Sequence, residues 1–322
     1  MSPKTLEFGF LLPTRAAVME SGSPLDLSSL LEMAAEAEEL GYDSIWIGDS
    51  VLARPRFEAL TTLAAVAART HQVRLGTAVY LSALRHPVLL ANTVANLDIL
   101  SAGRVTLGLG IGTHAPSVEA EFVNCGIPFR QRIGRFEEGI SIMRRLWKGE
   151  KIDFRGKYYE VHGCSLGLHP KQTGGPPIWL AGRGEKAYRR VVLLADGWVP
   201  ISPTPEVFAE GWTRIQALAA EAGRSLETLR PALYVTLTAH SDRNQALREM
   251  ETYMEAYYGV PYAIMSQMQG CCPGTPLECR NWLQEFIRQG ARSLVLRFAS
   301  PKPAEQLRFF AREILPALVS VS

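Results

Sequence analysis

The stretch Arg74–Gly112, RLGTAVYLSALRHPVLLANTVANLDILSAGRVTLGLGIG, decides the fold. An apolar run from Arg74 to Val79 leads through His86-Pro87 into an amphipathic helix. The helix stops at Ser101-Ala-Gly-Arg, and a second apolar run, Val105 to Leu109, passes straight into glycines. A unit of this kind lays two parallel strands side by side and covers a face of the sheet with the helix. Glycines just past a strand are where the backbone can approach a phosphate or a flat ring. The stretch therefore predicts a cofactor-binding α/β enzyme.

Working outward, eight short apolar runs alternate with helical patterns. They are Phe8 to Leu12, Ser44 to Ile47, Arg74 to Val79, Val105 to Leu109, Pro177 to Ala181, Gly197 to Pro200, Leu233 to Thr238 and Ser293 to Phe298. Each has the near-continuous Val/Ile/Leu/aromatic character of a strand buried on both faces. Helix punctuation recurs between them: a serine near the start of Leu27 to Gly41 and a glycine at its end, with like patterns at Arg135 to Lys148 and after Lys302. Eight alternations predict a (β/α)8 TIM barrel of the α/β class, one domain over residues 1–322; a doubly wound open sheet is the alternative. Two segments exceed simple connections. Lys151 to Gly175 contains a small hairpin, and Glu255 to Pro276, rich in tyrosine and methionine, is a candidate lid.

Composition narrows the function. With 34 Lys+Arg against 32 Asp+Glu and no basic run, the chain has no electrostatic footprint for nucleic acid. It contains no apolar run of about 18 residues and its first residues lack the pattern of a secretion signal, so a cytoplasmic protein with no membrane partner is expected. Its five cysteines, Cys125, Cys164, Cys271, Cys272 and Cys279, form no C-x-x-C. Reduced thiols are expected, with Cys271-Cys272 as loop residues lacking a resolving thiol nearby.

In this barrel, sites form at the carboxyl ends of the strands. Gly182-Arg183-Gly184-Glu185-Lys186 opens a helix there, where free N–H groups, the positive dipole end and an arginine suit a phosphate; a tight turn is the alternative. Gly108 to Gly112 lacks full G-x-G-x-x-G spacing, so its glycines either clear room for a planar ring or allow close strand packing. Asp49 follows the second strand and could serve as base, ring contact or cap. His114 stands past the glycines as a candidate substrate or cofactor contact, whereas His86 before Pro87 reads as a loop-orienting residue. The strand aromatics are mostly core, with Phe10, Tyr80 and Trp198 the candidates for a substrate pocket. No metal-ligand spacing and no nucleophile elbow appear, so the acid–base machinery is sparse, as in an enzyme that leaves the hard step to a redox ring.

Taken in order, Gly41-Tyr-Asp-Ser-Ile-Trp-Ile-Gly-Asp, Leu75-Gly-Thr-Ala-Val, Arg85-His-Pro, Leu97-Asp-Ile-Leu-Ser-Ala-Gly-Arg-Val-Thr-Leu-Gly-Leu-Gly, Phe129-Arg-Gln-Arg-Ile-Gly-Arg-Phe-Glu-Glu, Gly156-Lys-Tyr-Tyr and Ala195-Asp-Gly-Trp resemble the bacterial luciferase-like flavin-dependent oxidoreductases. The resemblance runs from about residue 6 to 316. It implies a barrel that binds FMN or the deazaflavin coenzyme F420, a small organic substrate, a flavin reductase as reducing partner, and a homodimer. It also implies that Gly182 to Lys186 and Arg132 hold the phosphate, that Asp49 and Gly110 to Gly112 flank the ring, and that a cis peptide at Ala78-Val79 supports it. Two positions depart: Asp49-Ser50 stands where deazaflavin members often carry Asp-His, and Thr113-His114 where they often carry a glutamate. These departures speak against the sugar-phosphate dehydrogenase subtype. The expected function is a monooxygenase using reduced FMN and oxygen. The alternatives are a deazaflavin-dependent hydride-transfer enzyme, a non-catalytic flavin-binding protein, or a phosphate-binding barrel aldolase or isomerase using Asp49 or a lysine.

Overall fold

The computed structural model describes residues 6–19 and 27–319. Its strands, in chain order, are β1 (Glu7–Leu11), β2 (Ser44–Ile47), β3 (Arg74–Thr77), β4 (Val105–Leu109), β5 (Ile152–Arg155), β6 (Glu160–Cys164), β7 (Ile178–Leu180), β8 (Gly197–Trp198), β9 (Arg230–Ala239), β10 (Cys271–Gly274) and β11 (Ser293–Phe298). The helices that matter to the site are α1 (Thr14–Met19), α2 (Ser28–Glu39), α3 (Ala59–Arg69), α4 (Pro87–Leu100), α5 (Pro116–Asn124), α6 (Arg132–Trp147), α7 (Glu185–Leu194), α8 (Pro205–Glu221) and α9 (Arg243–Tyr258).

Eight strands pair in parallel in the order β9-β11-β1-β2-β3-β4-β7-β8, and β8 pairs with β9 to close the cylinder. The expected barrel is therefore the observed one. β5 and β6 form the expected antiparallel hairpin outside it. Cys271 and Cys272, expected in a loop, instead begin a short parallel strand on the extended edge of β9. The Cys279 sulfur lies 3.8 Å from that of Cys272, so a second thiol is nearby after all. Burial pushes the Cys271 thiol up to about 11, and the Cys272 contact, with burial behind it, raises the Cys279 thiol higher still, so these sulfurs are poor nucleophiles. Among the described residues, no helix is long and apolar enough to cross a membrane.

The period-two alternation of each strand divides its side chains between the lumen and the helices. On β1, Phe8 and Phe10 point outward into the layer shared with the helices, where Phe10 stacks on Phe298 with ring centres 5.7 Å apart. Gly9 and Leu11 take the inward parity. The bottom of the lumen is polar: Glu7 pairs with Arg74, accepts from Ser293 Oγ at 2.9 Å and lies 3.4 Å from Arg230. Mid-height is filled by the indoles of Trp46 and Trp179, with ring centres 5.2 Å apart, packed with Leu11, Val199, Ala232 and Val295. Room for these rings comes from glycine on neighbouring strands. A Cβ at Gly9 or Gly76 would collide with the Trp46 indole, and one at Gly197 would lie 2.5 Å from Trp179 Cδ1. The lumen is thus a packed floor, and only its upper rim is left to form a site.

Gly76→Ala is expected to lower stability by about 1–3 kcal/mol, the usual cost of overpacking. Denaturant unfolding measures it, and an unchanged midpoint would contradict this account of the floor.

Candidate active site at the barrel mouth

Beyond β3 the chain turns sharply through the cis peptide Ala78–Val79, at the position the family resemblance implies. Two neighbours fit this turn. A Cβ at Gly108 would strike the Thr77 carbonyl, and one at Gly110 would lie 2.5 Å from Val79 Cγ2. Gly108 and Gly110 are therefore small because β3 presses on them, which is the strand-packing alternative rather than open space for a ring. Tyr80 donates its N–H to Gly108 O at 2.8 Å and accepts from Gly110 N at 3.0 Å, so pairing resumes past the turn. Gly112, at φ 78°, occupies the left-handed region where a side chain is strained.

The segment after the turn is held by Asp49. Its buried carboxylate takes both ends of the Arg85 guanidinium, at 2.5 and 2.9 Å, and the N–H of Leu81 at 3.0 Å. Burial raises the Asp49 carboxyl above the ordinary value and the Arg85 fork offsets only part of that, while Arg85 is kept firmly charged by the contact. With its lone pairs taken in this way Asp49 is an anchor, not a free base. Tyr80 lies under Arg85, 4.2 Å from ring centre to guanidinium carbon, and donates to Glu58 at 3.1 Å. Next in sequence, the Ser50 hydroxyl donates to Glu121 at 2.9 Å, and the same Glu121 oxygen accepts from the N–H groups of Val51 and Leu52. Glu121, which no sequence motif marks, thus ties the β2 loop to α5. His86 acts as expected of a loop-orienting residue: its Nδ1 caps α4 by accepting from Val88 N at 3.4 Å.

Across the mouth, α7 starts with no side-chain cap at Gly184, whose φ is 93°, and Gly182 also has positive φ, 116°. Residues Gly182 to Lys186 are all exposed, so the first N–H groups of the helix face solvent with Arg183 and Lys186 beside them. The Glu185 carboxylate turns away to Arg214 and Arg189, and the Arg214 hydrogen bonds bring its pKa to about 2. Only its backbone is left for an anion. Trp198 is completely buried on the helix side of the barrel, where its Nε1 donates to Gly182 O at 2.9 Å. It braces this turn from the helix side of the barrel, where the Phe10 ring also packs. Arg132 lies 3.7 Å over the Phe129 ring and donates to Phe129 O at 3.1 Å, while its Nε is buried without a partner among the described residues. His114 is exposed at the rim, its ring 5.6 Å from Phe129.

A second group at the mouth includes Tyr257 and Tyr258 from the start of the candidate lid segment, which here end α9, but its other members have no counterpart among the sequence-derived candidates. Arg297, on the inward parity of β11 with Val295, is buried among Tyr234, Tyr253, Tyr257 and Tyr258, with its guanidinium carbon 4.9 Å from the Tyr257 ring. The Tyr257 hydroxyl accepts from Arg56 at 3.2 Å. Burial alone would raise the Tyr257 phenol, but Arg56, Arg297 and Arg15 outweigh it and hold the phenol below its ordinary 10.0. Inward parity on β11 and the i, i+4 spacing of Tyr253 and Tyr257 were the available signals.

A family model described as luciferase-like monooxygenase matches residues 6–293. The F420-dependent glucose-6-phosphate dehydrogenase of Microbacterium testaceum is 27% identical, covering 95% of this chain and 98% of that protein. The phthiodiolone/phenolphthiodiolone dimycocerosates ketoreductase of Mycobacterium bovis is 29% identical over 80% of this chain and 72% of its own length. Among solved structures, an F420-dependent secondary alcohol dehydrogenase superposes with TM-score 0.82 at 20% identity, covering 98% of this chain and 99% of that one. The monooxygenase RslO1 of Streptomyces bottropensis does so at 0.81 and 22%, covering 97% and 99%.

Two outcomes test this geometry. Asp49→Asn leaves Arg85 only the more distant Glu58 carboxylate, 3.7 Å away, as counter-charge and is expected to cost roughly 2–4 kcal/mol in unfolding experiments, discounted for the partial exposure of Arg85. A loss below about 0.5 kcal/mol would contradict the anchor role. An ultraviolet phenolate titration is expected to show one tyrosine ionising below pH 10.0, missing in Tyr257→Phe. A depressed phenol pKa adds stability above the unfolded-state value and loses it as pH falls through the folded-state value. The same substitution should therefore lower stability at alkaline pH more than at neutral pH.

Proposed function

The chain belongs to the luciferase-like monooxygenase family, and from that premise we propose that it is a deazaflavin-dependent oxidoreductase, which passes hydride between coenzyme F420 and a small organic substrate. The observation that carries this reading is the pairing, on one rim, of the Ala78–Val79 turn with the uncapped, exposed start of α7. The first offers a fixed apolar surface over the Trp46–Trp179 floor, where Ala78 and Val79 pack with that pair. The second offers backbone N–H groups, Arg183 and Lys186 to a phosphate. The orphaned Nε of Arg132 is a further donor awaiting an acceptor. A tricyclic ring with a phosphorylated tail suits these features, and the protein's share is to orient the ring, hold its tail and keep water out. Bound there, the coenzyme would supply the hydride.

Preference for the deazaflavin over FMN and oxygen rests on the F420-dependent relative of Microbacterium testaceum, which is 27% identical over 95% of this chain. Their sugar phosphate is not carried over. Ser50, standing where the resemblance would often place a histidine, has its hydroxyl engaged by Glu121. His114 is exposed at the rim. We further propose a homodimer, after the family habit.

Fluorescence titration of the purified protein with oxidised F420 and, separately, with FMN tests the reading. F420 is expected to saturate, and Arg183→Ala with Lys186→Ala is expected to weaken it at least about tenfold, the loss of two charge-assisted contacts. Saturation by FMN alone would favour the monooxygenase reading, and binding of neither would refute both.

A further inference from the structure

On the side of the mouth formed by β11, β1 and β2, cationic charge gathers with no acid paired to it among the described residues. Arg15 comes from the first turn of α1, Arg54 and Arg56 from the loop after β2, and Arg297 from β11. Arg297 is satisfied by neutral groups: its Nε and Nη2 donate to Thr236 Oγ1 at 3.0 and 2.7 Å, Nη1 to Tyr258 Oη at 2.7 Å, and Nη2 also to Met254 Sδ at 3.3 Å. Arg56 donates to Tyr257 Oη and, through Nε, to the Arg54 carbonyl at 3.1 Å. Arg54 lies 4.8 Å over the Tyr258 ring. Arg15 lies 4.8 Å over the Tyr257 ring, and its Nε and Nη1 are shielded from solvent with no hydrogen-bond partner among the described residues. None of the four arginines forms an ion pair with a described Asp or Glu, and burial, with Arg56 and Arg54 nearby, lowers the Arg15 pKa.

Arg15, Arg56, Arg297, Tyr253 and Tyr257 enclose a void of about 10 Å³, the size of one water, bordered also by Gly48. A Cβ at Gly48 would touch the Arg56 guanidinium and come 3.6 Å from Ala78 O, so the cluster adjoins the turn proposed to support the ring. Desolvated guanidinium groups are costly unless an anion joins them, and orphaned N–H groups mark where it binds. The start of α7, on β7, lies across the barrel from β11 and β1, so the coenzyme tail and this cluster occupy different ends of the mouth.

We propose that Arg15, Arg56 and Arg297 bind an oxyanion of the substrate, a carboxylate or a phosphate, placing the rest of that molecule against the ring. The void admits the group when the Tyr257 ring, wedged among the guanidiniums, turns aside. That the anion belongs to the substrate rests on the coenzyme reading above. The anion site itself does not.

Calorimetric titration of the coenzyme-free protein with inorganic phosphate and, separately, with malonate tests the proposal, and the tighter arm identifies the source. One saturable site that depends on Arg15 and Arg56 is expected, separate from any phosphate taken up at the start of α7. Arg15→Met and Arg56→Gln, checked for folding by circular dichroism, are each expected to weaken it at least about tenfold, as loss of a charge-assisted contact does. Arg183→Ala is expected to leave it unchanged. Absence of saturable binding in both arms, or affinities unaltered by Arg15→Met and Arg56→Gln, overturns the proposal. If bound coenzyme abolishes the anion site, the cluster belongs to the coenzyme and the substrate assignment falls. Anion binding by a protein that takes up no coenzyme keeps this site and refutes only the reading of the preceding subsection.

Discussion

The mouth of this barrel depends on one buried contact, the two-pronged grip of Arg85 on Asp49. Asp49 ends the run from β2, Arg85 precedes α4, and the cis turn at Ala78–Val79 lies between the strands they flank. Because the same carboxylate also takes the Leu81 N–H, the chain leaving β3 can follow one course only. That course presses Val79 on Gly110 and places Tyr80 under the guanidinium. A buried charge pair is weak evidence of net stability, yet removing one partner strands the other, so the contact sets geometry more than it adds energy.

The floor beneath it comes from a different constraint. Two indoles fill the cylinder at mid-height, and glycines on adjacent strands give way to them. Charged side chains then recur below, around Glu7, and above, around Arg297. The upper rim divides by chemistry, with an uncapped helix start on the β7 side, an apolar turn at β3, and a cationic cluster over β11, β1 and β2. An extended anionic coenzyme and a separate anionic substrate fit that division better than a neutral ligand would.

Much of this was legible in the residues. The barrel followed from eight apolar runs with helical spacing between them, because burial on both faces leaves an unmistakable continuous pattern. Ser44–Ile47, Val105–Leu109 and Ser293–Phe298 stand where expected, whereas β3 ends at Thr77, where the cis turn begins. β10 was not legible, since Cys-Cys-Pro-Gly has little strand propensity and exists as a strand only because β9 runs long enough to pair with it. Within the candidate site, residues that belong to local backbone motifs, such as Gly182 to Glu185, stand at a helix start as the sequence pattern places them. Those defined by parity were not legible: Phe10 and Trp198 are aromatic strand residues on the helix side, and Arg297 looks unremarkable until its neighbours are known. Glu121 and Arg15 act through contacts distant in sequence, which no local pattern encodes.

The measurement that bears most directly on this account is a crystal structure of the protein soaked with oxidised F420. The account predicts the ring against Ala78–Val79 above Trp46 and Trp179, with the phosphate on the N–H groups that begin α7. A ring lodged elsewhere, or a phosphate drawn to Arg15 and Arg56 instead, would contradict it.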